Sequence, residues 1–502
     1  MSRLRRVLIA NRGEIALRII RACHEEGIEA VAVYSEADAT SPHVLQADRA
    51  VEIGPPPAAQ SYLSVDKLIA AARESGADAI HPGYGFLSER AHFAEAVEKA
   101  GLIFIGPPAA AIRAMGEKTE ARRRMSAAGV PVVPGTTAPV SGLEDARRAA
   151  AEAGYPVLIK AAAGGGGKGM RRVDDAGGLA SALEQTSSEA LKAFGDGAVY
   201  LEKYLEGPRH IEIQVLADGQ GHTMHLGERD CSIQRRHQKL IEESPSVAVS
   251  ADLRRAMGEA AVQAAKAVGY RSAGTVEFLL DATGKFYFLE MNTRIQVEHP
   301  VTEMVYGVDL VREQLRVAAG EGLGIPGALE PHGHAIECRI TSEDPFNGFL
   351  PATGRIEFLQ VPAGPGIRWD GGIEAGNDVT LFYDPLLGKL ITWGESRTHA
   401  LARMRRALDE LVILGVPTSQ PFHRRVLVDK EFIAGKHDIA FLGRRPDLLD
   451  AGEDERELEA VAIAAALAED AVHGFAHPAA VEPSLRHADS AWLQSARLDG
   501  LR

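Results

Sequence analysis

No stretch of this chain limits its folding more than Glu277 to His299. It reads Glu-Phe-Leu-Leu, a loop at Asp281-Ala-Thr-Gly284 and Lys285, then Phe-Tyr-Phe-Leu-Glu-Met-Asn-Thr-Arg-Ile-Gln-Val-Glu-His. Two runs rich in aromatic and β-branched residues around a short Gly-containing loop predict an antiparallel hairpin. With the four loop residues turning, Leu280 faces Lys285, and Glu277 lies diagonally from Glu290 on one face, within reach of a shared ion. From Glu290 onward polar and apolar residues alternate, so extended chain would set Glu290, Asn292, Arg294, Gln296 and Glu298 in one row. A half-solvated edge strand would read the same way. The flanking runs are apolar on both faces, however, which predicts a buried sheet, where a carboxylate must be paired or bind metal. Two carboxylates and an amide oxygen (Glu277, Glu290, Asn292) are hard ligands suited to Mg²⁺ or Mn²⁺. The stretch is therefore read as the metal and reaction centre.

Bulk properties narrow the remaining possibilities. A chain of 502 residues, 45% hydrophobic, can bury several cores and suggests about three domains. A net charge of −14 without a long basic block argues against polynucleotide and anionic-membrane partners. Cys23, Cys231 and Cys338 form neither a disulfide framework nor a zinc spacing and suit a reducing cytoplasm. The apolar run after Arg6 is too short for a signal segment and no stretch approaches a membrane span, so a soluble cytoplasmic protein is expected.

Residues 1 to about 114 alternate strand and helix signals: Arg6–Ala10, a helix from Gly13 to Glu26, Ala30–Tyr34, Asp78–His81 and Ile103–Ile105. This predicts a doubly wound parallel sheet, with the loops Ala10–Glu14 and His81–Glu89 at the carboxyl ends of strands, where such folds place ligands. The first turn lacks a Gly-x-Gly-x-x-Gly, which argues against a dinucleotide site. Residues 115 to 205 read as an inserted small domain. In it Lys160 ends a strand and Gly164-Gly-Gly-Gly167-Lys168 follows, a run whose ordering costs much backbone entropy. A mobile cover over phosphates fits it better than a plain flexible loop, and Gly169 in place of Ser or Thr rules out a Walker loop. Val199–Leu205 reads as a hinge strand suited to holding a base. The run Glu228 to Lys239 concentrates Arg229, Arg235, Arg236, His237 and Lys239 on an acidic chain, and is read as charge compensation for the carboxylates downstream. Residues 335 to about 445 predict an α+β region packed on the central sheet, with strands near Gly354–Phe358 and Lys389–Trp393 and a helix from Arg397 to Leu414. Beyond it lie an acidic helix, Glu453–Asp470, and a tail of unassigned role.

Five ordered stretches carry a resemblance: Ile9-Ala-Asn-Arg-Gly-Glu-Ile-Ala, His81-Pro-Gly-Tyr-Gly-Phe-Leu-Ser-Glu, Gly164-Gly-Gly-Gly-Lys-Gly-Met, Glu228 to Lys239, and Glu290 to Glu303. From about residue 4 to about 445 the chain resembles the biotin carboxylase component of biotin-dependent carboxylases, in the ATP-grasp superfamily. The resemblance implies a Rossmann-like domain (1–114), an ATP-grasp domain (115–334) with a lid at about 130–205, a C-terminal domain (335–445) and a tail (446–502). It implies nucleotide contacts from Lys118, Lys160, Gly165, Gly166, Gly167, Lys168, Met170, Glu202, Lys203, Leu205, His210, Gln234, His237, Glu277 and Glu290, and metal at Glu277, Glu290 and Asn292. Bicarbonate would meet Lys239, Arg294, Gln296, Val297 and Glu298, with Glu298 as base, and Arg339 would face biotin. Ala163 stands where some relatives have a fifth glycine.

The implied chemistry agrees with the residues. A buried carboxylate can take the proton of bicarbonate as it attacks the γ-phosphate, while metal and lysines neutralise charge. A guanidinium keeps its charge when buried, so Arg339 suits the biotin enolate, although a structural ion pair with Glu337 on one strand would read the same way. None of the nine methionines precedes a lysine, so biotin is expected on a separate carrier protein, with carboxyltransferase subunits also separate. A homodimer is expected. The rivals are another ATP-grasp ligase, forming an acyl phosphate for a different acceptor, and a nucleotide sensor without catalysis.

Overall fold

A computed structural model describes residues 4–136, 138–162 and 169–450, together with 463, 464, 466 and 467; the side chains of Lys118 and Phe194 are not among those described. The glycine run with Lys168, and nearly all of the expected acidic helix and tail, lie outside the described residues. The chain divides into two compact units, 1–449 and 450–502.

The first unit begins with β1 (Arg6–Ile9), β2 (Glu29–Ser35), β3 (Arg49–Gly54), β4 (Ala79–His81) and β5 (Ile103–Phe104), paired in parallel in the order β3-β2-β1-β4-β5. Val7, Leu8 and Ile9 are all buried, as a parallel sheet covered on both faces requires. The helix α1 (Gly13–Glu25) buries Ile15, Ile19 and Cys23 against it. The sequence reading missed β3 because Arg49-Ala-Val-Glu-Ile-Gly is an edge strand with one solvated side and no apolar run.

A small antiparallel sheet follows, β6 (Val157–Ala161) between β7 (Met170–Val173) and β8 (Val199–Lys203). Its own core, Val157, Ile159, Val173, Leu179 and Leu201, is separate from the others.

The third sheet organises the unit. It runs β13-β12-β9-β10-β11-β14 and then through the strands Leu386–Gly394 and Ile367–Gly371. Here β9 is Arg209–Ala217, β10 Thr223–Arg235, β11 Gln238–Ser244, β12 Ser272–Leu280, β13 Phe286–Asn292 and β14 His334–Thr341. The C-terminal region thus continues the central sheet through three strands, where the sequence suggested a layer packed on it. The expected helix from Arg397 stops at Glu410, and Val412-Ile-Leu414 turns into a strand paired with Phe358–Gln360, in keeping with the β preference of Val and Ile.

The hairpin of β12 and β13 differs from expectation in three ways. Its loop spans Asp281 to Lys285, closed by the Asp281 amide donating to the Lys285 carbonyl at 2.8 Å, so Leu280 faces Phe286. Phe278 pairs with Phe288 and Glu277 with Glu290, which leaves Leu289 as an extra, bulged residue. The bulge shifts the register and places Glu277 directly opposite Glu290, not diagonal to it. Finally, β13 is the last strand of the sheet, its outer side bridged, among the described residues, only at Phe288, whose amide donates to the Pro131 carbonyl at 2.7 Å; Leu289 and Glu290 are exposed, and the strand ends at Asn292. Residues 293–298 bend away, because Pro300 in the first turn starts a helix at His299. The predicted straight row does not exist.

A buried ion cluster joins the layers. Glu303, on the helix His299–Tyr306, meets Arg18 of α1 at 3.0 Å and Arg368 at 2.7 Å. Burial alone would raise the Glu303 carboxyl, but the two guanidinium groups hold it at about 2. A carboxyl lowered on folding contributes stability that is complete above its ordinary value of 4.5 and is lost as pH falls from there towards about 2. Denaturant unfolding of Glu303→Gln should show lower stability than the parent at neutral pH and a shallower decline on acidification. Parallel pH dependence in the two proteins would show that the cluster contributes nothing.

Candidate active site

A cavity of about 700 Å³ opens between the small sheet and the β12–β13 edge of the large one. Lys160, Met170, Glu202, Lys203, Leu205, His210, Gln234, His237, Lys239, Glu277, Glu290, Asn292, Arg294, Gln296, Val297 and Arg339 all line it. Glu298 lies beneath the floor, fully buried. The sequence-predicted residues among those described thus converge, although the segment 293–298, which carries four of them, is bent.

One end of the cavity is apolar, with Tyr204, Leu205, Leu279, Leu289 and Ile439. The bulge that sets the carboxylate register also turns Leu289 into this wall. The Lys203 ammonium donates to the Gly154 and Tyr155 carbonyls, both at 2.8 Å, so it ties the end of β8 down. Glu202 is an anion between two cations, meeting Lys160 at 2.5 Å on one oxygen and Arg122 on the other. Arg122 was not foreseen: it is one of three consecutive arginines on the helix Lys118–Ala127, and sequence alone does not say which of them turns inward.

At the other end Lys239 gathers three buried carboxylates, Glu212 at 2.5 Å, Glu277 at 2.9 Å and Glu298 at 2.6 Å. Beneath it Arg229 is fully buried and donates to Glu212, to Gln214 at 2.7 Å, and to Thr302 and Thr275, each at 2.9 Å. The basic run therefore divides. Lys239, Gln234 and His237 line the cavity and Arg229 braces the floor, whereas Arg235 donates to the Gly348 carbonyl at 2.7 Å and stacks on Phe349, outside the cavity lining. Arg236 and His237 have positive φ at the β10–β11 turn, which holds His237 at the cavity mouth.

Glu277 is the hub of the polar end. Its Oε2 meets His210 Nε2 at 2.9 Å, and its Oε1 accepts from Lys239, from Asn292 at 2.8 Å and from Gln296 at 3.2 Å. Burial would lower the His210 imidazole, but Glu277 raises it above its ordinary value. Arg294 donates to Asn292 Oδ1 at 3.1 Å and Gln296 Oε1 at 2.9 Å, and meets Glu89 at 3.1 Å. Glu89 also accepts from the Thr293 amide at 3.1 Å, so the His81–Glu89 loop reaches the site through its last residue. Asn11 joins the two N-terminal loops by donating to the Pro82 and Tyr84 carbonyls at 2.8 and 2.6 Å. Glu298 bridges Lys239 and, at 2.9 Å, Arg339, which also meets Glu242 at 2.6 Å. Desolvation would raise Glu298, yet Lys239, Arg339 and Arg229 together hold it well below the usual carboxylate range. Arg339 does not pair with Glu337; its partners come from β11 and from the turn before His299.

Glu277, Glu290 and Asn292 offer only oxygen donors from two paired strands at one end of the cavity, a set that fits Mg²⁺ or Mn²⁺. A second close group is Glu212, Cys231 and Glu298, and its two carboxylates already hold the Lys239 ammonium, which supplies the positive charge there.

Known proteins share this chain's domain order and fold. Residues 3–112 match the family described as biotin carboxylase, N-terminal domain, residues 117–325 the carbamoyl-phosphate synthase L chain ATP-binding domain, and residues 337–444 the biotin carboxylase C-terminal domain. Biotin carboxylase 1 of Bacillus subtilis is 53% identical over 441 residues, 88% of this chain and 98% of its own. The biotin carboxylase of Haemophilus influenzae is 52% identical over 444 residues, 88% of this chain and 99% of its own. Among solved structures, a biotin carboxylase–β,γ-ATP complex from Campylobacter jejuni superposes with a TM-score of 0.83 at 48% identity, covering 88% of this chain and 99% of that one. The biotin carboxylase domain dimer of Hydrogenobacter thermophilus 2-oxoglutarate carboxylase, with MgADP, ADP and bicarbonate, also gives 0.83 at 48% identity, covering 90% and 100%.

Proposed function

We propose, because the chain belongs to the biotin carboxylase family, that it carboxylates biotin with bicarbonate at the expense of ATP and that the cavity described above is where it does so. The observation that carries this reading is the Glu298 carboxylate fixed between Lys239 and Arg339 at the end of a nucleotide-sized cavity. ATP would lie with its base against Leu205, Leu289 and Ile439 and its phosphates towards Lys160, His210, Gln234, His237 and Lys239. The Lys118 side chain, the glycines 165–167 and Lys168 join this reading from the family resemblance. Glu277, Glu290 and Asn292 would hold Mg²⁺ or Mn²⁺, which neutralises charge on the transferring phosphoryl group.

Arg294, Lys239, Gln296 and the Val297 backbone would hold bicarbonate beside Glu298. A bicarbonate oxygen attacks the γ-phosphorus, the bond to ADP breaks, and Glu298 takes the bicarbonate proton, giving carboxyphosphate. Held below the usual carboxylate range by its cations, Glu298 offers the anion that a base requires, and a bound anion that takes a share of Lys239 makes it more basic. Carboxyphosphate then yields CO₂ and phosphate. The phosphate removes the ureido N–H proton, the nitrogen adds to CO₂, and Arg339 faces the enolate charge.

The three matched stretches support working domain limits of 1–114, 115–334 and 335–445, and the separate small sheet of β6 to β8 with its own core supports a lid at about 130–205. Biotin arrives on a separate carrier protein, and a separate carboxyltransferase sets the final acceptor. The Hydrogenobacter relative is a dimer, which supports a homodimer here. Among the described residues no helix is long and apolar enough to cross a membrane.

The oxygen traced by attack on phosphorus provides a test. With ¹⁸O-bicarbonate, MgATP and free biotin, one labelled oxygen should appear in the released phosphate. Unlabelled phosphate in an enzyme that turns over would exclude the carboxyphosphate route.

A further inference from the structure

Behind Arg339, away from the cavity lining, two carboxyl groups have no part in the chemistry above. Glu242 on β11 and Glu337 on β14 are paired directly across the sheet, and both are fully buried. On one face of an antiparallel pair, opposed Cβ atoms stand about 5 Å apart, within reach of a direct carboxyl–carboxyl contact. Glu242 Oε1 accepts from Arg339 Nε at 2.6 Å, while Glu242 Oε2 and both Glu337 oxygens have no partner among the described groups. The cations that face the pair are committed elsewhere. Lys389, opposite Arg339 in register, meets Glu14 at 3.0 Å and donates to the Val297 carbonyl at 2.8 Å. Lys239 is held by Glu212, Glu277 and Glu298. The remaining titratable neighbours, Glu298 and the buried thiols of Cys231 and Cys338, bring no positive charge.

A fully buried carboxylate without a cation or donor does not stay ionised, because desolvation costs more than protonation. One proton on the pair removes the conflict: a protonated Glu337 donates to Glu242, and Glu242 remains the anion that anchors the guanidinium.

We propose that Glu242 positions Arg339 for the biotin half of the reaction and that Glu337 shares a proton with it, so that the pair decides whether Arg339 is held back by Glu242 or closes fully onto Glu298. This rests on the reading of Arg339 as the cation facing biotin. When Glu242 also takes a proton, its hold on the guanidinium weakens, and Arg339 is left to Glu298 alone. That tight pair would withdraw the base and the cation together. Desolvation, offset by Arg339 and reinforced by Glu298, raises the Glu242 carboxyl to about 7, and Glu337 is raised well above the usual carboxylate range by desolvation in spite of Lys389. Since Glu242 must be ionised, biotin carboxylation should rise with pH through a limb near 7.

The test uses the full chain, MgATP, bicarbonate and free biotin. In wild type, infrared difference spectra between neutral and alkaline pH, with ¹³C-labelled glutamate, should show a protonated buried carboxyl that is lost in Glu337→Gln. Glu242→Gln should lower the ratio of biotin carboxylation to biotin-independent ATP cleavage about tenfold or more, the scale of removing a residue that orients a reacting group, and abolish the limb. Glu337→Gln donates permanently to Glu242 and should move the limb to lower pH. If the wild type shows no protonated carboxyl at neutral pH, or if both variants keep the wild-type ratio and limb, the proposal is overturned. Should neither variant fold, the wild-type spectrum alone decides. Arg339→Ala separates the two levels: if it leaves biotin carboxylation intact, the reading of Arg339 falls and the pair with it. Loss on Arg339→Ala with an unaltered Glu242→Gln removes the pair alone.

Discussion

Glu298→Gln is expected to lower bicarbonate-dependent turnover by about 10² or more while leaving a folded protein that binds MgATP, the usual scale for losing a general base. The surroundings explain why the fold should survive. Lys239 keeps Glu212 and Glu277, and Arg339 keeps Glu242, so neither buried cation is left without a counter-charge. The amide retains the shape of the carboxyl but cannot accept a proton. Glu290→Gln should behave differently, since it weakens a metal ligand opposite Glu277 and therefore MgATP binding as well as turnover. Calorimetric titration with MgATP beside steady-state kinetics separates the two. Normal turnover in Glu298→Gln together with unchanged MgATP affinity in Glu290→Gln would remove both assignments.

Arg339→Ala should lower biotin carboxylation by about 10² to 10³, the scale of deleting one oxyanion-stabilising group, and biotin-independent ATP cleavage by much less. The guanidinium touches Glu242 and Glu298, and no bond joins it to the groups clustered around Glu277. Its removal also takes one of the three cations that hold Glu298 low, so the base becomes stronger as the biotin site is lost. Equal losses in the two activities would assign Arg339 to the phosphate side.

The motif residues were legible because their chemistry is unusual for their surroundings. Carboxylates in apolar runs, a basic cluster on an acidic chain and ligand loops at strand ends all signal a site through the cost of burying charge. Geometry was less legible. A bulge at Leu289 leaves no mark in an alternating apolar run, yet it changes which carboxylates face each other, and a helix start at His299 breaks a pattern that reads as continuous strand. Residues that act through others did not stand out one by one. Glu212 is one polar position of the alternating strand β9, Glu89 is the last residue of a loop legible only as a whole, and Arg122 is one of three consecutive arginines. Each becomes visible only when its distant partner, Lys239, Arg294 or Glu202, is brought to it. The N-terminal sheet was readable save for β3, since only buried parallel strands carry the continuous apolar signal.

In the proposed reaction this cavity couples ATP cleavage to bicarbonate and then to biotin. Phosphate release from MgATP, measured with and without bicarbonate and with and without free biotin, tests it most directly. Little release is expected without bicarbonate, slow release with it, and faster release once biotin is added. Release indifferent to bicarbonate, or unstimulated by biotin in an enzyme that cleaves ATP, would contradict it.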